Sequence, residues 1–214
     1  MIRWKYPLVN ISCQVCNKKR ARRHCPGVRG EICATCCGTG RENTIDCPLD
    51  CVYLQEARQH EQPAPIDDVP NKDIRISEDF LREHEPILLW ISLALAQSIE
   101  KQHAVDFDAR EALEAIIKTY RTRESGLIYE SRPQNPYAAA IQQALQESIA
   151  DLEKRLQQES GMHTLRDSEV LNILVFLQRL ELQHNNGRRR GRAFYQFLHT
   201  LLPAQNQVAG QVIE

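Results

Sequence analysis

Beyond Ser77 the apolar positions recur at intervals of three and four, the period that lines one face of an α-helix, and no run alternates strictly as a half-buried strand would. Residues 77 to 202 therefore predict a bundle of four or five helices. The first begins near Ser77 and continues from Pro86 to about His103, with Pro86 either starting a second segment or kinking one, since its ring removes a hydrogen-bond donor. Asp108 followed by Glu111 has the form of a capping box and starts a helix that runs to about Arg123. Asn135 and Pro136 supply a cap and first turn for the next, with Ile141, Leu145, Ile149, Leu152 and Leu156 on one stripe before Gly161. From about Asp167 the run VLNILVFLQRL is apolar on nearly every side, which puts it at the expected centre of the bundle, and Gly187 stops it. A last helix, about Arg192 to Leu202, groups Phe194, Phe197, Leu198 and Leu201 ahead of Pro203.

Upstream of Ser77 the periodicity is confined to VYLQEARQH, residues 52–60, a short helix that would pack Val52, Tyr53, Leu54 and Ala57 inward. Pro63, Pro65 and Pro70 then fix the chain extended and deny it backbone donors, so 61–76 reads as a linker. The expected organisation is a cysteine-rich domain over 1–60, that linker, a helical bundle over 77–202 and a tail over 203–214, a mainly α fold. The longest apolar run, Ile87 to Ala96, is ten residues, about half of the roughly 20 a membrane-spanning helix needs. The opening MIRWKYPLVNIS carries Arg3 and Lys5 and no continuous apolar stretch, so no export leader is expected and a cytoplasmic location follows.

All eight cysteines lie between Cys13 and Cys51, and the 163 residues after them contain none. In a reducing compartment such density points to metal ligation ahead of disulfides. Their order is C-x2-C-x8-C-x7-C-x2-C-C-x9-C-x3-C. A C-x2-C turn brings two sulfurs to one face at a distance that suits one metal, and two such turns occur, Cys13/Cys16 and Cys33/Cys36. Neighbouring residues seldom aim the same way, so Cys36 and Cys37 are expected to serve different ions. In the crossed arrangement Cys13, Cys16, Cys33 and Cys36 hold one zinc, and Cys25, Cys37, Cys47 and Cys51 hold a second. Gly38 and Gly40 would let the backbone turn away from the crowded shell. Sites closed by four sulfurs leave no position for water and are structural. Buried free cysteines, a redox pair and an iron–sulfur cluster are the competing readings.

The order of the first five cysteines resembles the B-box class of cross-braced zinc fingers, over about 40 residues, in which successive ligand pairs alternate between two metals. That family usually places a ligand three residues after the lone cysteine, where Val28 stands, and ends on two histidines, where Cys47 and Cys51 stand. The resemblance then implies that Cys37 replaces the missing ligand, with His24 as the alternative. CCGTGRENTIDCPLDCVYL also looks like stretches of uncharacterised bacterial zinc-finger proteins, which brings no function with it.

Charge divides the chain as the cysteines do: up to His60 ten Lys/Arg face five Asp/Glu, and beyond it 17 face 23. Lys18, Lys19, Arg20, Arg22 and Arg23 crowd the loop after the first cysteine pair, and Arg188, Arg189, Arg190 and Arg192 precede the last helix, where the dipole disfavours cations. Either group could grip phosphate or an acidic surface, or be a solvated or ion-paired loop. Two E-x-x-H pairs, Glu100/His103 and Glu181/His184, have the spacing of di-iron bundles but fall in polar last turns of helices expected at opposite ends. No G-x-x-x-x-G-K-[ST], G-x-S-x-G or H-E-x-x-H occurs, so no enzyme is expected. The expected role is a protein-binding or regulatory adaptor, with nucleic-acid binding second and a thiol or metal-dependent enzyme third.

Overall fold

A computed structural model describes residues 11–61, 69–127, 129–160 and 165–202, the side chains of 159 and 160 excepted. The chain divides into two compact units, Met1–Gln62 with Arg188–Arg190, and Pro63–Gly187 with Gly191–Glu214. The fold is mainly α, as its periodicity predicts. Expectations for Gly161 and Pro203 lie outside the described residues.

The first unit is built on two three-residue strands, β1 (Arg23–Cys25) and β2 (Gly30–Ile32), followed by helices α1 (Ala34–Gly40) and α2 (Val52–Arg58). The strands pair antiparallel with Arg23 opposite Ile32 and Cys25 opposite Gly30. Neither is long enough to display an alternation, so the sequence pattern did not announce them. The core is Cys13, Cys25, Ile32, Cys33, Cys37 and Ile45, with Cys16, Val28, Cys36, Cys47 and Tyr53 packed against it. In α2 Leu54 is buried as expected, whereas Val52 points outward, 59% exposed. Gly38 and Gly40 do not turn the chain; both are helical, within α1. Gly40 instead admits Ile45, whose side chain would stand 2.9 Å from an added Cβ, while an added Cβ at Gly38 would meet nothing within 4 Å.

In the second unit Ser77 caps α3 (Glu78–Glu83), accepting from the Phe80 amide at 3.1 Å. His84 separates it from α4 (Glu85–Gln102), so Pro86 sits in the first turn of a new helix and does not kink an old one. The next helix, α5 (Asp106–Glu124), starts two residues ahead of the expected Asp108. Asp108 is its third residue and reaches back to accept the Val105 amide at 2.9 Å. In α6 (Pro136–Ser160) Asn135 is the cap, its Oδ1 accepting from the Tyr137 amide at 3.0 Å. The last two helices among the described residues are α7 (Asp167–His184) and α8 (Ala193–Leu201).

Helix α5, not the more apolar α7, holds the centre: it packs against α6, α7 and α8, while α4 packs on α6 and α8. Its buried alanines, Ala109, Ala112 and Ala115, let neighbouring helices approach closely around Leu113, Ile116, Ile117 and Tyr120. The residues just before α3 are tied to this unit, since Arg121 bonds Asp73 at 2.8 Å and Asn71 at 2.9 Å, and Arg179 bonds the Ile74 carbonyl at 2.9 Å.

Candidate metal centre

The hairpin that opens the first unit begins with Ser12 bridged to Arg20, and between them the Cys13 amide bonds the Lys19 carbonyl at 2.8 Å. The turn is closed by Asn17 at φ 53°, a left-handed conformation that asparagine tolerates better than most residues. That twist aims the Lys18 and Lys19 amides at the Cys16 sulfur. The second cysteine pair opens α1: Cys33 is its cap residue, and its sulfur accepts the Cys36 amide at 3.4 Å. Hairpin and helix start face each other, and the sulfurs of Cys13, Cys16, Cys33 and Cys36 all lie within 4.8 Å of one another. A zinc–sulfur bond of about 2.3 Å in a tetrahedron sets sulfurs about 3.8 Å apart, so these four can hold one metal ion with little adjustment.

The electrostatics fit a cation. Burial works to raise the Cys13 thiol, but amides of Cys33, Cys16 and Val15 overcome it and bring the thiol down to about 6. Cys36 is pushed up to about 12, first by the Cys33 side chain, then by burial and by Cys16 and Cys13. Crowded thiols thus ionise against one another, a repulsion that a bound dication removes. All eight cysteines are free, none in a disulfide.

Among the described residues the first quartet is the group that meets this 4.8 Å spacing. The other four expected ligands are not so close, yet Cys25, Cys37, Cys47 and Cys51 all line one cavity of about 10 Å³ with Arg41, Ile45, Tyr53 and Leu54. Cys47 is raised by burial, and further by Cys25, Cys51 and Glu42, while the Glu42 amide works the other way. His24 belongs to the same wall, but its ring is 68% exposed with Nδ1 3.2 Å from a Glu31 carboxylate oxygen across the hairpin.

Sequence reasoning missed Arg23, which it counted with the solvated cations. Arg23 donates from Nη1 to the Cys37 sulfur at 3.4 Å and lies over the Tyr53 ring, 4.4 Å from its centroid. Its place in β1, two residues before Cys25, was the available signal. Arg58 and Glu42 form a second missed contact, a 2.7 Å ion pair that is almost fully buried. The Arg188–Arg190 segment folds with the first unit: the Arg190 amide bonds the Glu42 carbonyl at 2.7 Å, Arg188 pairs with Glu61 at 3.3 Å, and Arg190 stands 3.9 Å from Asp46. Both side chains thus face acids, but acids of the first unit and not those of the acidic helices with which the ion-paired reading matched them.

The E-x-x-H pair of α7 is not in a polar turn. Glu181 is fully buried and receives a two-pronged bond from Arg110, at 2.8 and 3.1 Å, while His184 stacks on Phe197. No helix among the described residues is long and apolar enough to cross a membrane. No protein-family model, curated protein or solved structure matches the chain. What stands of the B-box likeness is the four-cysteine cluster itself.

Proposed function

We propose that the first unit is a structural zinc module that serves as a non-catalytic adaptor, binding a protein partner with an acidic surface. The observation that carries this reading is the closed quartet of Cys13, Cys16, Cys33 and Cys36. Four soft thiolates at this spacing suit zinc, and with every tetrahedral position taken by sulfur no place is left for water or substrate. An iron–sulfur cluster, whose cysteines ligate different irons, needs its sulfurs spread more widely. Free thiols throughout the module accord with a reducing, cytoplasmic setting.

The partner's chemistry is suggested by the hairpin that carries the first pair. Ile11 and Val15 are 47% and 50% exposed, and Lys18, Arg20 and Arg22 are exposed on the same hairpin and just before β1. Apolar contacts ringed by charge are what a protein interface uses. Nucleic-acid binding is the second reading, favoured by those same cations. Against it, no aromatic of the first unit is among the large apolar side chains exposed in the described residues, so among those residues bases find no stacking platform.

Anisotropy titrations of the zinc-loaded protein with a Glu-rich peptide and with a single-stranded RNA distinguish the two. Peptide binding that is lost in a Lys18→Glu, Arg20→Glu, Arg22→Glu variant supports the adaptor. RNA binding that falls by orders of magnitude between about 50 and 200 mM salt would replace it with the second reading. Binding of neither ligand contradicts both.

A further inference from the structure

Once the first quartet is set aside, four cysteines remain, and they come from separate places: Cys25 from the end of β1, Cys37 from α1, and Cys47 and Cys51 from the loop into α2. They need not have met. All four nevertheless line the same cavity, whose volume of about 10 Å³ is room for roughly one water-sized sphere. The rest of the wall is Ile45, Tyr53 and Leu54 with Arg41 and His24, so that one guanidinium and one imidazole stand beside the four thiols. A small void on which four free thiols converge, with a guanidinium in its wall to offset thiolate charge, has the donor set for a metal ion. It is a good site for a soft cation.

The surroundings are built for the charge that such an ion would leave. Four thiolates around one dication carry a net charge of about −2. The sulfurs of the first quartet are served by backbone amides, those of Cys33, Cys16 and Val15 on Cys13 and those of Lys18 and Lys19 on Cys16. Around the second cavity full positive charges are present: Arg41 is in the wall, and Arg23 donates to Cys37 while its guanidinium lies over the ring of Tyr53, a cavity-wall residue. Glu42, at φ 50°, turns its amide toward Cys47. The His24 ring is 68% exposed, whereas Cys25 and Cys37 are buried and Cys47 and Cys51 half-buried, so the cysteines are the ligands the cavity encloses.

We propose that Cys25, Cys37, Cys47 and Cys51 form a second tetrathiolate zinc site, in which Arg23 is a positioning and charge-compensating residue that the first site lacks. The inference rests on the structural-zinc reading of the first quartet. Binding draws the four sulfurs together around the cavity, forms four zinc–sulfur bonds and releases the thiol protons to solvent. Cys36 and Cys37, adjacent in α1, then belong to different ions, so that one short helix locks both sites.

The experiment is native mass spectrometry of the full chain, with elemental analysis, on wild type, Cys47→Ser/Cys51→Ser and Arg23→Met. Two zinc ions in wild type and one in the double variant are expected. One ion in both would overturn the second site while leaving the first intact. No ion in either overturns the structural-zinc reading itself. Arg23→Met keeps the stem over Tyr53 and removes the charge; chelator competition should show one ion held about 10- to 100-fold more weakly and the other unchanged, the usual effect of removing a partner of a metal ligand. Equal weakening of both ions, or of neither, contradicts the role of Arg23. Should Arg23→Met fail to fold, Arg23→Lys, which keeps the charge but loses the planar fork, must retain two ions with one held less tightly than in wild type.

Discussion

In the first unit the residues withdrawn from solvent are largely sulfur-bearing, and the fully buried aliphatics among those described come down to Ile32, Ile45 and Leu54. In the second, α5 alone buries Leu113, Ile116, Ile117 and three alanines, and α7 adds Val170, Leu171, Ile173, Leu174, Val175 and Leu177. Ordering a residue costs about 1–2 kcal/mol in backbone entropy. The bundle has the apolar area to offset that cost, and the cysteine module does not. A small unit with so few apolar side chains needs another source of folding free energy, and a structural zinc supplies about 10–16 kcal/mol in small metal-dependent domains. On the proposed zinc reading, one chain contains two solutions to the same deficit, and they should fail under different insults.

The largest effect expected is at the first quartet. Cys33→Ala removes a ligand and the cap acceptor of α1 together, and should leave residues 11–61 unfolded and readily cut by protease, with most of the helical circular dichroism retained. In the bundle, Arg110→Ala strands the buried Glu181 carboxylate. Burial already raises that carboxyl, against the pull of Arg110. Loss of about 3–5 kcal/mol is expected by denaturant titration, with metal content unchanged. If a second substitution, Glu181→Leu, recovers much of that loss, the cost lies in the orphaned charge.

The most gradual effect is a pH slope. Asp106 is pushed up to about 7, chiefly by burial and also by Glu181, although the Phe194 and Tyr195 amides that it accepts at 3.0 and 3.1 Å work the other way. A folded value above the unfolded one means that the folded state keeps this proton longer. The contribution is therefore complete below about pH 4 and is lost as pH rises to about 7, at up to about 1.4 kcal/mol per unit. Asp106→Asn should flatten that slope in bundle unfolding and leave the cysteine module untouched.

How far the sequence reveals each region follows from the kind of signal. Period and caps located the helices to within a few residues because they report local geometry; Asn135 caps as read, and the helix expected near Ser77 starts there, with Ser77 as its cap. The start of α5 was misplaced because Asp106 and Asp108 are both acidic, and only tertiary structure shows that one accepts α8 amides while the other caps its own helix. Glu181 looked like a solvated last-turn residue since its partner Arg110 lies 71 positions away. The first quartet was legible from two C-x2-C turns, because that spacing is itself the geometry. The donors around the sulfurs were not: Asn17 acts through a backbone angle, and Arg23 through a contact 14 residues along the chain.

The account stands most directly on hydrogen exchange followed by mass spectrometry, on the full chain before and after complete removal of metal. Stripping should abolish protection across residues 11–61 and leave α5 and α7 protected to the same degree as before. Protection that persists through β1, β2 and α1 in metal-free protein would contradict the claim that thiolate-bound metal organises the first unit.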